Sequence, residues 1–240
     1  GIRDRSPSRG LGDVYKRQDQ ILANEYGTIL SGVGITLALT VFGFLGALLL
    51  GTVVAICRVS PITPLRAVGT AYVEFFRNIP LLSLLILIVF GLPKIGILFS
   101  LFWSGVIGLV LSGAAFVCET VRSGINTVSI GQSEASRALG MTFVQQLRLI
   151  ILPQAFRTMV QPLVNVFIGV LIGSSLCAAV GVAELTNMAQ QLNIQYAEAV
   201  FLFMLSGGIY LVLALGAGSV GGWVERKVGR SRTVAKGATR

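Results

Sequence analysis

The sequence predicts an all-α polytopic membrane protein of about five transmembrane helices, with a short cytoplasmic helix between the third and the fourth. Three observations carry that expectation. Of the 240 residues, 54% are hydrophobic and only 12% charged, against roughly a quarter charged in an ordinary soluble domain. Apolar runs recur at the length of a bilayer crossing, about 20 residues each. Lys and Arg collect in the connections on one side, the asymmetry that orients membrane helices.

The first run, residues 29–56, is long enough to span with tilt at about 1.5 Å per residue. Arg58, Pro61, Pro64 and Arg66 then make a basic turn, in which the prolines stop the helix and the arginines stay at headgroup level. The second helix, 67–92, carries Glu74 and Arg77 in its early half, and a kink is expected at Pro80. A third helix covers 102–121, and polarity returns over 122–148. The fourth covers 162–180, the stretch 181–198 reads as a loop with Glu184 and Glu198, and the fifth covers 199–220. Residues 1–20 lack an apolar region and differ in composition from the rest of the chain, so they are read as disordered or foreign to the native protein and set apart. That leaves a transmembrane domain over 21–227 and a basic cytoplasmic tail over 228–240.

Arg58, Arg66, Arg122, Arg137, Arg148, Arg157, Arg226 and Lys227 fall on one side, together with the tail's Arg230, Arg232, Lys236 and Arg240. The opposite loops hold only Lys94. With five crossings this puts the N-terminus outside and the C-terminus inside. Only the basic residues of segment 1–20 run against it.

The net charge of +9 follows from this topology. Nucleic acid is not the expected partner, because no aromatic side chains are interleaved with the basic ones for base stacking. Cys57, Cys118 and Cys177 lie far apart in apolar segments, so they read as small core residues and not as a disulfide or zinc framework. The absence of histidine removes the commonest general base and metal ligand, and no metal or other cofactor is expected in this chain.

Residues 131–153, GQSEASRALGMTFVQQLRLIILP, contain two helix signals separated by a breaker. Residues 134–139 favour a short helix with Gly140 as its C-terminal cap, since glycine takes the left-handed conformation without side-chain cost. In the second piece Phe143, Leu147 and Ile150 recur at helical spacing, and Pro153 is expected to break the ladder before helix four. The small residues Ala135, Ser136 and Ala138 suit close approach to a groove on a soluble partner. From periodicity alone an amphipathic connector on the lipid surface serves equally.

The spacing of Glu134, Ala135, Ser136, Gly140, Ile150, Leu152 and Pro153 resembles the cytoplasmic loop of binding-protein-dependent permeases of ABC importers. Their pattern is Glu-Ala-Ala, three residues, Gly, nine residues, Ile, one residue, Leu-Pro, so Ser136 replaces the second alanine. The resemblance implies that this loop is a coupling helix docking into an ATPase subunit, with Glu134, Ala135, Ser136, Ala138, Leu139 and Gly140 at the contact. The stretches YVEFFRNIPLL, AAFVCETVRSGI and LPQAF are similar to those of permeases for histidine, glutamine and glutamate. The similarity implies amino-acid import through a bacterial cytoplasmic membrane. It also implies three partners: an ABC ATPase dimer using ATP and Mg, a second permease subunit, and an extracytoplasmic binding protein. One departure is Ile172 and Gly173 before Ser174-Ser175-Leu176, where many relatives carry a Lys and an acidic or amide residue.

Glu74 with Arg77, and Glu119 with Arg122, stand three apart on helices two and three, so each pair can share a helix face. Each reads as a structural ion pair pinning a helix end in preference to a substrate contact, although charges in a bilayer also mark pathways. Gly169 with Gly173, and Gly218 with Gly222, have the spacing of close helix packing. An ion-coupled secondary transporter is the alternative, disfavoured by the lack of inverted repeats. A membrane enzyme would have Glu74 or Glu119 almost alone to work with. The chain has no GxxxxGK[ST] phosphate loop, so ATP hydrolysis is expected in a separate subunit.

Overall fold

The computed structural model describes residues 11–229, and among them every regular element is helical. Helix α1 spans Leu11–Val59, 49 residues. At about 1.5 Å per residue it is roughly 74 Å long, more than twice the ~30 Å hydrocarbon core. It takes in residues 11–20, part of the segment set apart as disordered or foreign, and these are helical. Residues 1–10 and 230–240 lie outside the described residues, so the expectations for them stop there. The early part of α1 is tied down at its own end of the bundle. Arg17 approaches Glu198 at 3.8 Å, and Ile21 is fully buried among Ala189, Leu192 and Leu202.

The expected kinked helix two is instead a sharp corner. Helix α2, Thr63–Asn78, and helix α3, Leu81–Ile86, are bent by 101° when α3 is followed on to Ile95. A proline kink keeps helical dihedrals, but here Ile79 sits at ψ 131° and Pro80 at ψ 132°, both extended. Proline crowds the residue before it out of the helical region, so the chain stops and restarts. Beyond α3 it continues through a wide π turn, Leu87–Gly91, and a 3₁₀ turn, Leu92–Ile95.

Helix α4, Leu101–Asn126, opens on Ser100 as N-cap and runs past its expected end. The short α5, Ile130–Ala138, and α6, Phe143–Gln146, follow. From α6 the helix is unbroken through a π turn, Leu147–Ile151, into α7, Leu152–Ser174, and a 3₁₀ turn, Ser175–Val180. The break expected at Pro153 is therefore absent. The wide turn has already shifted the hydrogen-bond ladder there, and proline is tolerated at the first turn of α7. The expected loop over 181–198 contains α8, Leu185–Tyr196. Helix α9, Ala199–Gly229, runs into the expected tail.

Among the described residues four helices are long and apolar enough to cross a membrane, and counting the α2–α3 pair as one bent crossing makes five. Helix α4 lies between α1 and α7, while α9 packs on α7 and α8 at the periphery. Of the glycines that spacing suggested, Gly173 packs closely, where a Cβ would sit 3.1 Å from a Leu81 methyl, and the tightest helix approaches use other glycines. A Cβ on Gly51 would sit 2.6 Å from the Ala114 carbonyl oxygen, and one on Gly221 would sit 2.4 Å from Val164. Gly169 has nothing within 4 Å, and Gly218 meets only Ile168 at 3.9 Å. Cys118 and Cys177 are fully buried and free, as core residues. Large apolar side chains such as Leu49, Phe42 and Val212 lie on the outside, which suits a surface solvated by lipid.

Candidate functional site

Two regions gather the polar groups singled out in the sequence. The first is α5 with its following turn. Helix α5 ends in a Schellman motif: Gly140 N–H donates to the Arg137 carbonyl at 2.9 Å and Met141 N–H to the Ser136 carbonyl at 3.2 Å. Gly140 adopts φ +77°, and a Cβ added there would meet nothing within 4 Å. Thr142 and Gln145 then form a reciprocal capping box that starts α6, with bonds of 2.8 and 3.3 Å.

Glu134, Ala135, Ala138, Leu139 and Gly140 are all exposed, Leu139 by 81%. Exposed Ile130 and Val144 flank them. Ser136 departs from this group. It is 1% exposed, and its hydroxyl lies 2.6 Å from Nε2 of the buried Gln146. The exposed face of α5 and its turn therefore consists of Glu134, Ala135, Ala138, Leu139 and Gly140, while Ser136 faces inward.

The second region is a cleft on the bundle's flank. A cavity of about 540 Å³ opens between the α2–α3 corner, α4 and α7, with Arg77, Ser112, Phe116 and Asn165 on its wall. A neighbouring cleft of about 470 Å³ shares Arg77 and Phe116 and adds Glu119, Arg122 and Thr158. Of the two expected ion pairs, one forms. The Arg122 guanidinium donates to Glu119 Oε2 at 2.9 and 3.3 Å, and Arg58, expected at the headgroups, takes the other carboxylate oxygen. Glu119 thus bridges α1 and α4.

Glu74 and Arg77 do not pair. Both are exposed on α2, and among the described residues the Glu74 carboxylate accepts only from its own turn, from Asn78 Nδ2 at 3.5 Å. Arg77 faces the cavity instead. The structure therefore brings Arg77, Glu119 and Arg122 to one cleft and leaves Glu74 out. Ser112 and Asn165 were missed by the sequence reading, where each is a single polar residue within an apolar run.

A further polar centre lies at the opposite end of the bundle. Glu184 is fully buried and caps α8, accepting from the backbone N–H of Thr186 at 3.0 Å and of Asn187 at 2.9 Å. It also accepts from the hydroxyls of Thr36 on α1, at 3.4 Å, and Tyr210 on α9. Nearby, the Tyr196 hydroxyl donates to Glu25 at 2.9 Å, a bond that holds the phenol above its ordinary pKa. Among the described residues no group of His, Cys, Asp or Glu is arranged to hold a metal.

Comparison with known proteins agrees with this architecture. Residues 47–230 match the family described as "Binding-protein-dependent transport system inner membrane component". A probable glutamine ABC transporter permease protein, GlnM, of Bacillus subtilis (strain 168) is 34% identical over 211 residues, covering 88% of this chain and 98% of the relative. The glutamate transport system permease protein GluC of Corynebacterium efficiens (strain DSM 44549 / YS-314 / AJ 12310 / JCM 11189 / NBRC 100395) is 34% identical over 206 residues, covering 80% and 90%. Among solved structures, an amino acid ABC transporter with histidines superposes with a TM-score of 0.82 at 32% identity, covering 86% of this chain and 96% of that one. The MetNI methionine ABC transporter in an inward-facing conformation gives 0.69 at 26% identity, covering 85% and 98%.

Proposed function

The chain belongs to the binding-protein-dependent transport system inner membrane components, and from that premise we propose that it is the permease subunit of an ATP-driven importer for polar amino acids of the glutamine and glutamate type. The observation that carries the reading is the 134–153 loop. It pairs the family's spacing with a folded form suited to docking: a short surface helix, exposed small residues, and a left-handed Gly140 that closes it. Glu134, Ala135, Ala138, Leu139 and Gly140 form the face offered to the ATPase dimer. That dimer binds ATP with Mg²⁺ and hydrolyses it, since this chain has no phosphate loop.

Transport then follows by alternating access. A binding protein outside delivers the amino acid to the end of the bundle that holds α8, and a second permease subunit, identical or homologous, closes the open flank of the cavity. Arg77 places a guanidinium on that wall, suited to the α-carboxylate common to all amino acids. Ser112 and Asn165 add neutral hydrogen-bonding groups. The basic ends of α1, α4 and α9 lie at the cytoplasmic face of a bacterial plasma membrane, with the N-terminus outside.

Co-purification in mild detergent with the cognate ATPase subunit tests this reading. Stable retention, with ATP hydrolysis stimulated by loaded binding protein, is expected. A folded permease that retains no ATPase subunit contradicts it.

A further inference from the structure

We infer that Gln146 is a positioning residue that clamps the docking helix α5 to the α6–α7 span, so that movement of α5 is delivered to α7, which walls the cavity. The inference rests on the permease reading above and names the device by which that permease is driven.

Helix α5 has little else to hold it. Ser136 is its one buried residue, and among the described residues no side-chain hydrogen bond joins α5 to α4. On that side the chain only turns, with Thr127 and Val128 N–H groups donating back into α4 at 3.2 Å each. On the other side the attachment is double. The Schellman turn and the capping box fix the backbone between α5 and α6. Inside that corner Gln146, 4% exposed, points its amide nitrogen at α5. Nε2 lies 2.6 Å from the Ser133 carbonyl oxygen, 2.7 Å from Ser133 Oγ and 2.6 Å from Ser136 Oγ.

The donors and acceptors close on each other. An amide nitrogen carries two hydrogens, which these three acceptors share, and the Ser136 hydroxyl spends its own proton on the Ser133 carbonyl at 2.9 Å. The alanine of the family pattern has no acceptor to offer here, so Ser136 and Gln146 form a matched polar pair. From Gln146 the helix is continuous through the π turn into α7, whose Asn165, Gly169 and Val170 face the cavity. A buried, satisfied polar cluster rigidifies a corner more than apolar packing does, because each alternative arrangement strands a polar group. Push on α5 and the same rigid piece moves the cavity wall.

The test compares the amount of amino acid transported per ATP hydrolysed in proteoliposomes holding the permease, its ATPase subunit and the binding protein. Gln146→Leu is expected to keep the ATPase subunit bound and to lower the ratio about fivefold or more, the low end of ordinary coupling between sites. The double variant Ser136→Ala/Gln146→Leu removes two members of the cluster and leaves Ser133, so its thermal transition is expected to lie no lower than that of Gln146→Leu while the ratio stays low. It also carries the test should the single variant fail to fold. A wild-type ratio in either variant overturns the inference. If wild type itself retains no ATPase subunit, the permease reading falls and takes the clamp with it.

Discussion

Gly140→Asp is expected to abolish ATP-driven uptake and retention of the ATPase subunit while the bundle stays folded. Gly140 sits at φ +77°, where any side chain is strained by about 1–2 kcal/mol, and aspartate is among the residues that bear this conformation best. Nothing lies within 4 Å of the new Cβ, so no clash spreads into the helices. The carboxylate projects into the face offered to the ATPase, next to the C-terminal end of α5, where the helix dipole already disfavours negative charge. An unpaired charge buried in an interface costs about 3–5 kcal/mol, and at 1.4 kcal/mol per tenfold that is a loss of at least a hundredfold in affinity. Co-purification and a thermal unfolding scan of the same preparation separate the two effects. A variant that keeps its ATPase and its uptake places the docking face elsewhere.

Glu184→Ala is expected to give the largest loss of stability of any single change away from α5. The carboxylate is fully buried and serves as N-cap of α8 while accepting hydroxyls from α1 and α9. Removing it strands two backbone N–H groups and two hydroxyls in the packed end of the bundle. Buried donors left without a partner cost about 1–3 kcal/mol each and a lost N-cap about 1 kcal/mol, so a loss of about 3–5 kcal/mol is expected. At roughly 2–4 °C per kcal/mol for a chain of this length, the melting temperature in detergent should fall on the order of 10 °C. Tyr210→Phe removes one donor and leaves the N-cap intact, so less than half that fall is expected. Equal melting temperatures for Glu184→Ala and wild type would remove Glu184 from the scaffold.

How much of this was legible in the sequence depended on which physical signal each element carries. The crossings near 29–56, 102–121 and 199–220 were legible because apolar length and basic connections report them directly. The Gly140 cap was legible as well, since a glycine after a short polar helix has a specific backbone use. Where the reading failed, the deciding interaction is tertiary. Pro80 reads alike for a kink and for a 101° corner, because the difference lies in the extended dihedrals of Ile79 and Pro80.

Helix α8 was hidden by its polar side chains, although Leu185, Ala189, Leu192 and Tyr196 follow helical spacing and Glu184 stands at the N-cap. Arg58 and Glu119 are 61 residues apart, so their bond has no local signature, whereas the i, i+3 spacing of Glu74 and Arg77 suggested a pair that the structure does not form. Ser136 was placed on the docking face because it is small. The structure turns it inward, with its hydroxyl 2.6 Å from the amide of the buried Gln146.

The most direct measurement of the central claim is uptake of radiolabelled glutamine and glutamate into proteoliposomes holding the permease and its ATPase subunit, with the binding protein outside and ATP with Mg²⁺ inside. The account predicts accumulation that needs all of these components and is unchanged when sodium and proton gradients are collapsed. Accumulation driven by either gradient without ATP or the ATPase subunit would contradict it and make the chain an ion-coupled carrier.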